Sequence, residues 1–192
     1  MEHKSIVLPP ITAAVESQVR KSTLEKPKKT RVFAENQVLI QAEDYFPEKQ
    51  WQVMFEETQP PDDDHLEYVR TTINRHMCAK LNGYKTQDQK NTILDTENFV
   101  DIDFVMDLLK KSAMKCFYCR EQVQLLYKHV REPKQWTLER IDNSIGHNRG
   151  NVEIACLSCN LRRRCIYHER FLFTKQMKIV KSPGGGNPPT GL

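Results

Sequence analysis

Two Cys-x-x-Cys pairs constrain this chain more than any other feature of its sequence. The first pair is Cys116 and Cys119, the second is Cys156 and Cys159, and 36 residues separate them. Each pair sits on a tight turn that directs both sulfur atoms at one point, so two pairs can complete a tetrahedral zinc site. The alternative is two unrelated pairs of buried or redox-active cysteines. The spacing favours one structural Zn²⁺ bound by all four thiolates.

The rest of the sequence predicts an intracellular protein of the cytoplasm or nucleus. The 192 residues contain no run of eighteen apolar residues, which predicts that no segment enters a membrane. The N-terminus also lacks the charged and then apolar pattern of a secretory signal. Inside the cell, paired cysteines favour a metal site over a disulfide.

Charge is distributed unevenly along the chain. Residues 110–181 carry 16 Lys and Arg against 6 Asp and Glu, a net charge of +10, while residues 1–109 have a net charge of −6. The basic part indicates that the zinc region binds a polyanion such as nucleic acid. For the acidic part, an ordinary solvated surface is the favoured interpretation.

Composition divides the chain into four segments. They are an N-terminal extension or linker (residues 1–63), a helical lead-in (residues 64–115), the zinc region (residues 116–181) and a flexible tail (residues 182–192). Two prolines and three aspartates end the first segment, because such a run continues neither helix nor strand. Glycine and proline dominate the tail, for which no role can be read.

The N-terminal extension is the least informative segment. Its basic cluster at residues 26–31 is interrupted by proline and favours a flexible linker over a nucleic-acid contact. Apolar density at residues 37–41 and 51–55 predicts two short strands. The extension is also a candidate arm for docking an unknown protein partner.

Helical periodicity begins at Asp64. Asp64 and Glu67 resemble a capping box, and Gly83 is a suitable end for the helix. One apolar stripe is expected to pack in the core: Leu66, Val69, Ile73, Met77 and Leu81. The opposite face carries Arg70, Arg75 and Lys80, for which a solvated surface is favoured over a phosphate track.

A second helix is predicted from Asp103 to about Met114. Its inward face should hold four apolar residues: Phe104, Val105, Leu108 and Leu109. This helix ends just before Cys116, so it leads the chain directly into the first cysteine pair.

The zinc region is predicted to be a hairpin followed by a helix. Residues 136–141 and 151–155 are strand-like, and the polar segment between them is a surface loop. The spacing of the next apolar positions predicts one helix containing Leu157, Leu161, Cys165, His168 and Leu172. A cysteine turn, a hairpin and a helix at the second cysteine pair make the plan of a treble clef. The predicted fold class is therefore α+β.

Three consecutive arginines lie on that helix. Arg162, Arg163 and Arg164 point to three successive faces, so at least two of them should be available to phosphate groups. Together with Arg149 in the hairpin loop, they are the predicted nucleic-acid-binding residues.

The string "LERIDNSIGHNRGNVEIACLSCNLRR", preceded by one Cys-x-x-Cys and followed by a basic helix, resembles the HNH (His-Me finger) nucleases. It is most similar to the zinc-stapled group of recombination endonuclease VII and to HNH-like proteins of phages and large DNA viruses. The resemblance covers residues 64–176 at its widest and is sharp over residues 116–164. It implies a treble-clef ββα-metal fold, hydrolysis of phosphodiester bonds in DNA, and a viral protein acting in a host cell.

The resemblance also implies roles for individual residues. Glu139 matches the acidic metal-binding position, Asn160 matches the metal-binding position on the helix, and Asn151 matches an asparagine that braces the loop. Oxygen ligands of this kind suit a catalytic Mg²⁺ or Mn²⁺.

This chain departs from the family at one position. Arg140 stands where the family has its water-activating histidine, and a guanidinium stays protonated, so it can clamp phosphate but cannot act as a base. His147 in the loop is the best replacement, since its ordinary pKa is near neutrality. Asp142 is the second choice, as a base or a metal ligand. An equally weighted alternative gives His147 only a structural role in the loop.

Three functions follow from these observations. The first is a metal-dependent nuclease, whose cutting of both strands would call for a homodimer. The second is a catalytically inactive, zinc-dependent module that binds nucleic acid in transcription, packaging or repair. The third, a thiol redox protein, is disfavoured because neither cysteine pair lies in a strand-to-helix turn of thioredoxin type.

Overall fold

Helices precede and follow a β-hairpin in the computed structural model, which describes residues 28–31, 39–56 and 63–177. The architecture is α+β, as predicted. Its elements are α1 (Pro47–Phe55), α2 (Asp64–Lys90), α3 (Ile102–Lys111), β1 (Trp136–Arg140), β2 (Val152–Cys156), α4 (Leu157–Arg163) and α5 (His168–Gln176). The predicted tail at residues 182–192 lies outside the described residues, as does most of the N-terminal extension.

The predicted strand at residues 51–55 is wrong, because these residues belong to α1. Pro47 occupies the first turn, where its missing N–H group costs nothing, and the buried Gln50 and Val53 are three residues apart. The secondary structure of this segment therefore follows the helical spacing of its buried residues and not its density of apolar residues. Of the strand predicted at residues 37–41, residues 37 and 38 lie outside the described residues, and residues 39–41 are not in a strand.

Gln50 ties α1 to the segment between the two cysteine pairs. Its Nε2 donates to the carbonyl oxygens of Asp44 and Leu126, each at 2.9 Å. Its Oε1 accepts from the backbone N–H of Leu125 at 2.7 Å. Because this buried amide uses both its donors and its acceptor, α1 is fixed against the zinc region without an unpaired polar group.

Helix α2 confirms the predicted stripe, since Leu66, Val69, Ile73, Met77 and Leu81 are all buried. Asp63 caps its first turn by accepting from the N–H groups of His65 at 3.0 Å and Leu66 at 3.2 Å. The cap is therefore Asp63, and not the predicted Asp64.

The predicted end of α2 at Gly83 is also wrong, because the helix continues to Lys90. A glycine inside a helix costs only about 1 kcal/mol relative to alanine. Tertiary contacts beyond it outweigh that cost. The Tyr84 hydroxyl accepts from the N–H of Leu138 in β1 at 3.1 Å, and Asp88 is fully buried.

Helix α3 begins with Asp101 as its cap, which accepts from the N–H of Phe104 at 2.9 Å. Val105 and Leu109 are buried, as predicted. The helix ends at Lys111, three residues before the predicted end. The chain then reverses through Ala113 and Met114, which have φ of 50° and 51°, and enters the first cysteine pair.

The predicted hairpin is confirmed. Strands β1 and β2 are antiparallel, with Trp136 opposite Cys156 and Arg140 opposite Val152. Alternation divides β1 into two faces. Trp136 and Leu138 enter the hydrophobic core, while Thr137 and Glu139 bond to side chains of α4.

The single helix predicted after Cys156 is wrong, because it is divided into α4 and α5. Arg164 leaves helical conformation with φ of 50° and ψ of −113°. Its carbonyl oxygen accepts from Nδ2 of Asn143 in the hairpin loop at 3.1 Å, which turns the chain away from the axis of α4. Cys165 is consequently exposed, and Phe171 anchors α5 in the core instead.

Candidate metal centre and adjoining pocket

The sulfur atoms of the two cysteine pairs form one cluster. The four Sγ atoms, of Cys116, Cys119, Cys156 and Cys159, all lie within 4.8 Å of one another. The Sγ atoms of Cys119 and Cys156 are 3.9 Å apart. Tetrahedral zinc with Zn–S bonds of about 2.3 Å would place its sulfurs roughly 3.8 Å apart. The cluster therefore fits a metal ion such as zinc.

Backbone hydrogen bonds position the first pair. The N–H of Arg120 donates to the carbonyl of Cys116 at 2.9 Å, which closes the turn. The N–H of Phe117 donates to the carbonyl of Ile154 in β2 at 2.7 Å. The turn is thus held against the hairpin that supplies the second pair.

The second pair lies at the junction of β2 and α4, so the prediction that neither pair lies in a strand-to-helix turn is wrong for this pair. Cys156 is the last residue of the strand and the cap of the helix, and its Sγ accepts from the N–H of Cys159 at 3.4 Å. Hydrogen bonds from the thiols of Cys156 and Cys159 lower the pKa of Cys116. The bond with Cys116 raises the pKa of Cys156 to about 12. Binding of a metal would release the remaining thiol protons.

Beside this cluster, a pocket of about 500 Å³ lies between α2, β1 and α4. Glu139, Arg140, His147 and Asn160 all line it. These are the four predicted catalytic residues, and they come from one strand, one loop and one helix. A larger groove of about 920 Å³ lies between α1, α2 and α3 and contains none of the predicted site residues.

His147 is buried and bonded to Asp88 of α2. Its Nδ1 is 2.8 Å from Oδ1 of Asp88, and its backbone N–H donates to Oδ2 of the same carboxylate at 2.6 Å. Burial lowers the pKa of His147, against an opposing effect of Asp88. The lowered pKa favours the neutral imidazole, which is the form that can accept a proton.

Glu139 is buried and forms an ion pair with Arg163, whose Nε donates to Oε1 of the carboxylate. Arg163 also donates to the carbonyl of Arg140 at 2.6 Å and to Oδ1 of Asn143 at 2.9 Å. Burial raises the pKa of Glu139, and Arg163 acts in the opposite direction. Arg163 thus joins α4 to β1 and to the loop.

This arrangement corrects the predicted arginine surface. Arg163 is buried, so its guanidinium is not available to nucleic acid, whereas Arg162 and Arg164 are exposed and Arg164 also lines the pocket. Arg149 is half-exposed and ion-paired with Asp101, and it does not line the pocket.

Two further pocket residues have defined partners. The side-chain Nδ2 of Asn160 donates to Oγ1 of Thr137 at 3.2 Å. Nη1 of Arg140 donates to the carbonyl of Ile145 at 3.2 Å and lies 3.9 Å from Oδ1 of Asp88. Arg140 is therefore placed to contact a bound anion rather than to accept a proton.

Asn151 braces the hairpin loop through its side-chain amide. Its Oδ1 accepts from the N–H of Asp142 at 2.9 Å, and its Nδ2 donates to the carbonyls of Asp142 and Gly146, each at 3.0 Å. Asp142 bonds to Ser144 through its own carboxylate and does not line the pocket. Hydrogen bonds from Ser144 lower the pKa of Asp142.

Sequence reasoning missed Asp88 as a site residue and placed Lys80 on a solvated face. Lys80 lines the pocket, its Nζ lies 3.1 Å from Oε1 of Gln135, and burial lowers its pKa to about 7. A signal for Asp88 was present. The stripe that reaches Leu81 continues at helical spacing through Tyr84 to Asp88, but the predicted helix ended at Gly83.

No family model, curated protein or solved structure matches this chain. Across residues 28–31, 39–56 and 63–177, no helix combines the length and apolar character needed to span a membrane.

Proposed function

We propose that this protein is a treble-clef zinc protein that hydrolyses phosphodiester bonds of DNA in the manner of an HNH-like nuclease. The observation that carries the proposal is the convergence of Glu139, Arg140, His147 and Asn160 on one pocket. The treble clef is supported by a cysteine turn packed on a hairpin whose last residue, Cys156, caps a helix.

The pocket offers the groups that phosphodiester hydrolysis uses. Neutral His147 can accept a proton from an attacking water. Arg140 and Arg164 supply positive charge along the walls, which would attract a phosphate and stabilise the charge developing on it. Lys80 adds to this charge when it is protonated, since its pKa is about 7. The exposed Arg162 extends this basic surface beyond the pocket, where neighbouring phosphates of the same strand would lie.

The donor set fits a hard divalent cation. Arg163 holds Oε1 of Glu139, which leaves Oε2 for a metal ion, and the Oδ1 of Asn160 is a second oxygen donor. Mg²⁺ commonly takes one or two carboxylates and fills its other positions with water and phosphate oxygens. A bound Mg²⁺ or Mn²⁺ would polarise the scissile phosphate. The zinc cluster would have a structural role only.

A second candidate is the catalytically inactive module that binds nucleic acid. The observation that favours it is the Glu139 ion pair with Arg163, which already neutralises the only carboxylate among the proposed metal donors. Among the described residues, the cysteines are the one group of three or more His, Cys, Asp or Glu side chains within metal-binding range. The two candidate functions differ in whether the protein cleaves the nucleic acid that it binds.

Cleavage of plasmid and branched DNA by the full-length, zinc-loaded protein tests the proposal, with Mg²⁺, Mn²⁺, Ca²⁺ or no added divalent ion. Glu139→Gln is preferred to alanine because glutamine still accepts a hydrogen bond from Arg163. Glu153→Gln is the matched control, since Glu153 lies opposite Glu139 on β2. We expect cutting with Mg²⁺ or Mn²⁺, abolished in Glu139→Gln, lowered about 10²- to 10⁴-fold in His147→Ala, and unchanged in the control.

Zinc content is measured for every sample, because loss of the structural metal would also abolish activity. Salt-dependent DNA binding without cutting in all four ion conditions would favour the non-catalytic module. A protein that neither cuts nor binds DNA would contradict both candidates.

A further inference from the structure

We propose that Asp88 is a positioning residue that holds His147 with its Nδ1 protonated and its Nε2 presented to the pocket as the proton acceptor. Asp88 belongs to α2, 59 residues before His147 and outside the zinc-stapled motif. The inference rests on the proposed function and deepens it, because it makes the helical lead-in part of the site.

The geometry fixes both the ring and the backbone of His147. One carboxylate oxygen of Asp88 is 2.8 Å from Nδ1, and the other accepts from the N–H of the same residue at 2.6 Å. A carboxylate can only accept, so it selects the tautomer with hydrogen on Nδ1. Among the described residues no hydrogen-bond partner faces Nε2, and His147 lines the pocket. The remaining lone pair is thus available to a water.

Neighbouring residues pack closely around the contact between Asp88 and His147. The ring of Tyr84 stacks on the imidazole at 4.4 Å between centroids, and its hydroxyl is held by the N–H of Leu138. A Cβ atom added to Gly146 would lie 2.6 Å from the carbonyl of Ile93 and 2.9 Å from Oδ2 of Asp88. Only glycine permits so close an approach of the loop to Asp88 of α2 and to the backbone that follows this helix.

The charged groups around His147 determine its protonation. Asp88 and Tyr84 face it from α2, and Arg140 faces it from β1. Burial, together with Arg140, lowers the pKa of His147, while Asp88 raises it. The net effect lowers the pKa of His147 from its ordinary value, which favours the neutral base, and the base is lost as the pH falls through the folded-state pKa. Removal of the Asp88 charge should lower that pKa further.

A purely structural Asp88 would only hold the loop in place. Asp88→Asn separates the two roles, because an asparagine oxygen can still accept from the N–H of His147 while the negative charge is lost. The asparagine NH₂ group can also donate to Nδ1, which would move the imidazole hydrogen to Nε2 and replace the acceptor in the pocket by a donor.

The test is nitrogen NMR of the imidazoles in ¹⁵N-labelled, zinc-loaded, full-length protein, with His147→Gln used to assign the His147 signals. We expect the Nδ1–H tautomer in the unmodified protein. In Asp88→Asn we expect a lower titration midpoint and a shift towards Nε2–H, with partial recovery in Asp88→Glu. Cleavage by Asp88→Asn should fall at least about tenfold, and the acidic limb of its pH profile should move to lower pH.

An Nε2–H tautomer of His147 in the unmodified protein would overturn the inference even if neither Asp88 variant folds. An unchanged tautomer and midpoint in Asp88→Asn would also overturn it. If the NMR changes occur as expected but the unmodified protein cuts no DNA, the proposed function fails while the orientation of His147 by Asp88 stands.

Discussion

The four-cysteine cluster and the pocket use the same hairpin and helix, yet they are assembled in different ways. Each cysteine pair is local, with its two ligands three residues apart on one turn. The pocket has no such local unit, because α2 supplies Lys80 and Tyr84 to its wall, and His147, which also lines it, is bonded to the buried Asp88 of the same helix. A local pattern can therefore specify a metal centre, whereas the adjoining pocket depends on helix packing.

Removal of a cluster thiolate should have the largest effect. We expect Cys116→Ser and Cys159→Ser each to lose the metal and unfold the region from residue 116 onward, because structural zinc contributes about 10–16 kcal/mol of binding free energy in zinc-finger peptides. Zinc analysis and circular dichroism measure both effects. The control is Cys78→Ser, since Cys78 is exposed on α2. Metal retained at full stoichiometry in either cluster variant would contradict the assignment of a zinc site.

Substitution of Glu139 tests whether its buried ion pair with Arg163 stabilises the packing of α4 on β1 beside the pocket. Glu139→Ala leaves Arg163 buried without its carboxylate, so we expect a loss of about 3–5 kcal/mol in the free energy of unfolding. Glu153→Ala is the control at the opposing position of β2, and it should cost about 1 kcal/mol or less. Urea denaturation gives both values. Equal losses of unfolding free energy in the two variants would show that the ion pair does not stabilise the fold.

Alanine substitutions at two glycines should change the free energy of unfolding by smaller amounts and in opposite directions. Gly146→Ala should destabilise the protein by about 1–3 kcal/mol, because its Cβ would overlap the backbone carbonyl of Ile93. Gly83→Ala meets no atom within 4 Å and should stabilise α2 by about 0.5–1 kcal/mol. Thermal unfolding measures both changes. Destabilisation by Gly83→Ala would mean that α2 does not continue as a helix through this position.

The exposed arginines should have the smallest effect on stability and a measurable one on binding. Arg162→Ala and Arg164→Ala should each change the unfolding free energy by about 0.5 kcal/mol or less. Each should weaken binding to all DNA duplexes alike and reduce the slope of log affinity against log salt by about 1. Titration of labelled duplexes at several salt concentrations gives that slope. A loss that depends on DNA sequence would instead mean that this helix reads bases.

Agreement between sequence and structure is best where the information is local. The apolar stripe of α2, the hairpin and the cysteine cluster were predicted, since each depends on residue spacing within one element. The end of α2 and the separation of α4 from α5 after Arg163 were not predicted. Contacts between distant parts of the chain decide both, namely that of Tyr84 with Leu138 and that of Asn143 with Arg164. Element boundaries are where tertiary contacts outweigh local propensity.

The three arginines at residues 162–164 also show that local sequence does not decide tertiary contacts. Sequence required that at least two of three consecutive arginines stay accessible, because a helix cannot turn all of them inward. It did not tell which one is buried. Packing of α4 on β1 decided that Arg163 meets Glu139.

By itself, the sequence determined an α+β chain with a four-cysteine centre and a short list of polar candidate residues for a site. Only the tertiary structure decided which of them share a pocket, that Glu139 is ion-paired, and that Asp88 orients His147. The physical reason is that covalent spacing along one turn is sufficient to bring two sulfurs together. A buried carboxylate meets its histidine 59 residues away only through the packing of a whole helix.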